Sequence, residues 1–227
     1  MTDCETAEPG VQARAMEEPG LDESLDALRP LLARLVQTRP RPRREHLSGV
    51  HSAWGHASTL TDAWRFLDVC EHASVLDAVE EIVGPDIVLW DSEIHLQTRT
   101  YLEFVADDRE GRYWPCDPKR GAVVLVAPQK RAAGFACFDV QRIAQVDLSA
   151  FDPDTPLYVI RYMSAASRFV RDPRFAANRA CMQEQPLINY EKRPLWLVCG
   201  RDLAGNDFVT GFSPTVPCWA GAGRKED

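Results

Sequence analysis

The sequence predicts an α+β fold, helical in its first third and strand-rich after it. Three observations point there. Leu25, Leu28, Leu32 and Leu35 recur at helical spacing, and a second apolar-periodic segment runs up to Gly84-Pro85, a pair that stops a helix. After that pair come short apolar runs of strand length: D-I-V-L-W at 86–90, G-A-V-V-L-V-A-P at 121–128, L-Y-V-I-R-Y-M at 157–163 and P-L-W-L-V-C-G at 194–200. No sequence repeat interrupts this order. Helices followed by strands suit a sheet or barrel with a helical layer on its outside.

The elements follow in chain order. Residues 1–20 are polar and rich in Glu, Pro and Gly, which predicts a disordered tail. Its start, M-T-D-C-E-T-A-E, has no apolar core of the kind a secretory leader needs. The leucine-periodic helix comes next, with Pro30 inside it predicting a kink or a late start. T-R-P-R-P-R-R-E-H at 38–46 is basic and broken by proline, and reads as a solvated connection rather than a nucleic-acid arm. Residues 59–83 read as two helical segments, the second capped by Ser74 with Asp77. Strand 86–90 is expected to continue into some 15 residues of mixed strand character, and 164–190 to be irregular. One domain over 21–220 is expected, then a charged tail at 221–227.

Composition limits the function classes. The chain has 227 residues, 45% hydrophobic and 26% charged, a soluble globular balance. A net charge of −8 opposes nonspecific binding to nucleic acid or anionic membranes, which needs a basic face. No apolar run approaches the length of a membrane span. Seven cysteines, none at zinc or redox-motif spacing, predict buried free thiols in a reducing cytoplasm. Neither a phosphate-cradling glycine loop nor a local Cys-His signature is present.

Several words of the sequence are more specific. H-A-S-V-L-D-A-V-E-E-I-V-G-P-D-I-V-L-W-D-S (72–92), G-R-Y-W-P (111–115), V-I-R-Y-M (159–163), N-Y-E-K-R-P-L-W-L-V-C-G-R-D (189–202) and G-N-D-F (205–208) resemble the phytanoyl-CoA dioxygenase family. The resemblance spans roughly residues 45–210. It implies a double-stranded β-helix (jelly roll), whole or incomplete, with the N-terminal helices packed outside. It also implies a dioxygenase using Fe(II) and 2-oxoglutarate to hydroxylate a small organic molecule. That chemistry needs two histidines and one carboxylate on one face of the iron.

In the family the first histidine and the carboxylate stand as His-x-Asp just before a word like G-R-Y-W-P. An ungapped alignment from Gly84 to Pro115 places Asp108 at the histidine and Glu110 at the aspartate. Asp108 and Glu110 are thus the candidate metal ligands, and the candidate acid and base. All five histidines (His46, His51, His56, His72 and His95) precede this motif. The arginine for the 2-oxoglutarate carboxylate is implied where the chain reads F-D-P-D-T-P. Arg161, nearby, is the candidate for that cofactor. The stretch A-P-Q-K-R-A-A-G-F-A-C-F-D-V-Q-R-I-A-Q-V-D does not resemble the family. A shortened or frame-shifted family member would give that break, and so would divergence to a different site.

From the residues alone, Asp108 and Glu110 two apart share one face of a strand. They could bind a hard cation, divide acid and base roles, or form a solvated acidic edge beside Arg109 and Arg112. Glu93, His95 and Gln97 alternate onto one face, making His95 the candidate third ligand, against the plainer reading of an exposed polar strand face. His51 and His56, five apart, predict surface or capping roles. The tryptophans Trp90, Trp114, Trp196 and Trp219 predict core or pocket wall. A catalytically inactive, metal-free binding protein on the same scaffold is the alternative to the dioxygenase.

Overall fold

A computed structural model describes residues 11–16, 19–37, 46–52, 62–107, 112–128, 133–145, 148–149, 151–184 and 193–208. Their order is β1 (Val11–Met16), α1 (Pro19–Gln37), β2 (His46–Ser48), α2 (Ala63–Cys70), α3 (Ala73–Val83), β3 (Ile87–His95), α4 (Thr98–Asp107) and β4 (Cys116–Asp117). Then come β5 (Gly121–Ala127), β6 (Ala133–Asp139), a 3-10 segment (Val140–Gln145), β7 (Leu157–Ser164), β8 (Arg168–Phe169), α5 (Ala176–Glu184) and β9 (Trp196–Cys199). The fold is a mixed one, helices packed on an antiparallel sheet.

The main sheet runs β1-β6-β5-β7-β3-β2, with β9 also paired to β3. Strict alternation gives each central strand two apolar faces. Val124, Val126, Cys137, Tyr158, Ile160 and Tyr162 point to one side, where α1, α2 and α3 bring Leu25, Leu28, Leu32, Phe66, Val75 and Val79. Val123, Leu125, Phe138, Val159 and Met163 point to the other, against Tyr101 of α4, Trp114, Cys116 of β4, Ile143 and Phe169 of β8. Two apolar layers therefore sandwich the sheet. The second sheet, β4 with β8, pairs only Cys116 with Phe169 and Asp117 with Arg168.

Several local readings are corrected. Residues 11–16, expected within a disordered tail, pair with β6 from Val11–Phe138 to Met16–Ala133. The first helix starts at Pro19, not late, and Pro30 lies inside it on the exposed side. The cap of α3 is His72, whose side chain accepts from the Ser74 amide, not Ser74 itself. The run after Trp90 is strand only to His95 and then turns into α4. The span 164–190 contains β8 and α5. The stretch without family likeness supplies β6, which sits between β1 and β5 with Phe135, Ala136, Cys137 and Phe138 all buried, alternately in the two layers.

Gly121 opens β5 where no side chain fits. A Cβ there would stand 2.6 Å from the Tyr162 carbonyl oxygen and would collide with the Trp114 ring. Gly121→Ala is expected to cost about 2–3 kcal/mol, at the upper end of overpacking, because backbone and a fully buried indole must both move. Urea unfolding of the variant beside the wild type measures it.

Candidate functional site

A buried cluster of charges lies where β3 changes phase. Before the irregularity, Ile87 and Leu89 face the helices while Val88 and Trp90 face the opposite layer. The register with β7 shifts between Leu89 and Asp91. A bulge of this kind sets two consecutive side chains on one side. Beyond it Ser92 and Ile94 face the helices, and Asp91, Glu93 and His95 turn to the layer that holds Trp90 and Tyr101. One edge of β3 is covered by β7. The other is shared end to end, with β9 beside residues 87–89 and β2 beside 93–95. Asp91 stands at that junction.

The junction draws in two arginines. Arg161 of β7 donates to Asp91 at 3.3 Å through Nη1 and to Glu93 at 2.5 Å through Nη2. Arg193, just before β9, donates to Asp91 and, at 3.2 Å, to the Ser48 hydroxyl. Asp91 also accepts from Ser48 Oγ at 3.1 Å and from the Gly49 amide at 3.3 Å. Asp91, Glu93, Arg161 and Arg193 are each 6% exposed or less, so charge balance inside the cluster must replace water. Two guanidiniums face two carboxylates, and the formal charges cancel. Arg161 also lies over the Trp90 and Phe104 rings, 5.9 and 5.4 Å from their centroids.

His95 completes the cluster. Its Nε2 is 3.1 Å from Glu93 Oε1, its ring stacks on His46 at 5.2 Å, and Tyr101 meets it edge-on at 5.2 Å. Burial lowers its pKa, and the pull of Glu93 does not reverse that. A neutral ring must donate from Nε2 to the carboxylate, which leaves Nδ1 an acceptor. That Nδ1 is buried with no hydrogen-bond partner among the described residues. Burial pushes the Glu93 carboxyl up, but Arg161 and His95 outweigh it and hold the group well below the carboxylate range. Burial likewise opposes the charge on Arg161, and Glu93 with Asp91 overcomes it and raises its pKa.

On the helix side, His51 Nδ1 lies 2.8 Å from Ser92 Oγ. His51 is 3% exposed, so the surface role expected of it is corrected. Burial, and then the positive charge of Arg193, lower its pKa to about 3. Nearby, Cys70 Sγ lies 3.0 Å from the Tyr158 hydroxyl, which itself donates to the Phe66 carbonyl. Burial pushes the Cys70 thiol up to about 12, that of Cys137 to about 12 and that of Cys116 to about 11. None of the three is a ready thiolate nucleophile.

The candidate residues read from sequence divide into two groups. Asp108 and Glu110, together with His56 and Trp219, lie outside the described residues; α4 ends at Asp107, directly before the pair. His95 and Arg161 come together through Glu93. The exposed polar face considered for Glu93 and His95 is corrected, since both are buried. Gln97 falls beyond the strand end. Asp91, Arg193 and Ser48 were not anticipated. Asp91 had a signal, an ionisable residue every second position through His95 in an apolar run. Arg193 had none, being 102 residues from its carboxylate.

Among the described residues no group of three or more His, Cys, Asp or Glu is arranged to hold a metal. Past the end of β3, a cleft of about 320 Å³ is lined by Val36, Gln37, Leu96, Gln97, Asp154 and Pro156. No helix among the described residues is long and apolar enough to cross a membrane.

No family model matches the chain, and no curated protein does. Among solved structures, CytC3 with Fe(II) and alpha-ketoglutarate is similar over 89% of each chain, at 12% identity and a TM-score of 0.48. A second CytC3 structure covers 87% of this chain and 88% of its own, at 12% identity and 0.43. The apo non-heme monooxygenase ThoJ covers 71% and 74%, at 14% identity and 0.38. Likeness at this level assigns neither a family nor the residues of a site.

Proposed function

We propose that this chain is a small-molecule-binding protein on the scaffold of the phytanoyl-CoA dioxygenase family, whose Arg161 cluster is closed to iron and 2-oxoglutarate. In this reading the main sheet is one half of a jelly roll, and α1–α3 are its outer helices. The observation that carries the reading is the state of Arg161. A guanidinium that is to hold a 2-oxo acid must present a free face to it. Arg161 instead spends Nη1 on Asp91 and Nη2 on Glu93. The donor set agrees. Glu93 is held by Arg161, Asp91 by both arginines, and no histidine follows His95 in the chain. Fe(II) and 2-oxoglutarate, the pair that the resemblance implies, do not fit these described donors. The ligand is a small organic molecule, and neither nucleic acid nor a membrane is a partner. Five free thiols among the described residues, at Cys70, Cys116, Cys137, Cys181 and Cys199, support a reducing, cytoplasmic home.

One observation favours the working dioxygenase instead. His95 offers a buried, unpartnered Nδ1 while its Nε2 meets a carboxylate. Metal-bound imidazoles are commonly oriented in this way through their second nitrogen. In that second reading His95, Asp108 and Glu110 hold Fe(II), which would supply oxygen activation for hydroxylation, and Asp108 and Glu110 also serve as acid and base.

One experiment separates the readings. Protein purified without chelator is analysed for metal, then titrated anaerobically with Fe(II) and 2-oxoglutarate while its visible spectrum is followed. The expected result is no stoichiometric iron and no absorbance band that depends on 2-oxoglutarate. One iron per chain, lost in folded Asp108→Ala and His95→Ala, with a band that needs 2-oxoglutarate, would overturn the binding-protein reading.

A further inference from the structure

We infer that Glu93 is an internal plug: its carboxylate occupies, at Arg161 and His95, a seat built for the carboxylate of a small organic acid. The inference rests on the closed state of Arg161 proposed above and identifies which residue closes it.

The two carboxylates of the cluster are not equivalent. Asp91 is tied into the fold independently of Arg161, by Arg193, by Ser48 Oγ and by the Gly49 amide. Its removal would loosen the junction of β2, β3 and β9. Glu93 is held by side chains alone, Arg161 Nη2 at 2.5 Å and His95 Nε2 at 3.1 Å. Its neighbours are themselves fixed from elsewhere. Arg161 keeps Asp91 and lies over Trp90 and Phe104, and His95 stacks on His46 and meets Tyr101 edge-on. Truncating Glu93 would therefore leave a preformed corner. It would have one guanidinium donor, one imidazole donor and aromatic walls, all buried and one negative charge short of balance.

Such a corner selects a carboxylate over a spherical anion, because two N–H donors meet two oxygens of one planar group. The wild-type protein cannot use it, because Glu93 is covalently attached at high effective concentration. The predicted ligand of the opened site is a small monocarboxylate or 2-oxo acid, with formate and acetate as minimal probes.

The test is chemical rescue of the full chain. Glu93→Ala and Glu93→Gln are made, and thermal unfolding is followed at constant ionic strength in sodium chloride, formate, acetate or 2-oxoglutarate. Glu93→Ala should be strongly destabilised in chloride and regain several degrees in at least one carboxylate, saturably with concentration. Wild type and Glu93→Gln, whose seat stays filled, should show no such difference. If Glu93→Ala folds only when a carboxylate is present, the inference is supported equally. If carboxylates act on Glu93→Ala no more than chloride does, or if they raise the wild type by as much, it is overturned. If Glu93→Ala stays unfolded in every salt, the donors do not form a seat by themselves, and the inference is overturned as well. Iron binding by wild type would strike the function proposed above without deciding whether the opened corner takes formate.

Discussion

Asp91→Ala is expected to lower the stability of the protein by about 3–5 kcal/mol, the range for removing one partner from a buried ion pair. The reason is what remains. Arg161 and Arg193 would stay buried, 5% and 6% exposed, with Glu93 as the single carboxylate between them. The Ser48 hydroxyl and the Gly49 amide would lose an acceptor at the place where β2 meets β3. The three-residue β2 and four-residue β9 abut at this point, so the loss falls on the least extensively paired edge of the main sheet. Since whole domains are stable by only about 5–15 kcal/mol, the variant should approach the unfolding threshold. Asp91→Asn keeps the shape and one acceptor oxygen, and should lose less than the alanine variant while remaining well below wild type. Urea unfolding of the three proteins checks the order. An Asp91→Ala protein within 1 kcal/mol of wild type would mean that water already shares this cluster.

Asp91 also shows how far the sequence could be read. The strands at 121–127 and 157–164 were legible because runs such as V-V-L-V and L-Y-V-I have one interpretation in a sheet buried on both faces. The leucine ladder of α1 was legible for the same kind of reason: Leu25, Leu28, Leu32 and Leu35 mark a single helical face, each at most 3% exposed. The role of β6 was hidden. A-G-F-A-C-F-D has small residues and glycine where a strand signal should be, and its burial comes from the strands on both sides. Tertiary context overrides weak local preference here. His95 and Arg161 were found as residues of interest, but their meeting depends on a bulge between Leu89 and Asp91 that no spacing announces. The phase change turns Asp91, Glu93 and His95 toward Trp90. Without it, the alternation carried forward from Ile87 and Leu89 would aim the same three side chains at the helices.

Mild acid should destabilise the protein well before its carboxylates titrate, and His51 should be the main cause. In the folded chain the His51 pKa is lowered to about 3, against 6.5 when unfolded. The group is pressed by burial and by Arg193, and its Nδ1 is engaged with Ser92. A histidine whose folded pKa is depressed favours the folded state fully above the unfolded value. That contribution is lost as pH falls below about 6.5, because the unfolded chain then takes up a proton that the folded chain refuses. By pH 4.5 the loss from His51 alone amounts to about 3 kcal/mol, and it continues toward pH 3. His95, also lowered by burial, acts in the same direction. Glu93 adds to it only below its unfolded value of 4.5, since Arg161 and His95 hold its carboxylate ionised in the fold. Between pH 6 and 5, His51 alone should therefore make stability fall with a slope approaching one proton, and His95 steepens that fall. In His51→Gln, which keeps a hydrogen-bonding group near Ser92 but cannot titrate, the slope should drop by nearly one proton. Unfolding free energies measured by urea at several pH values give both slopes directly. Equal slopes in the two proteins would show that His51 takes its proton while folded, through water reaching its Nε2 from the side opposite Ser92.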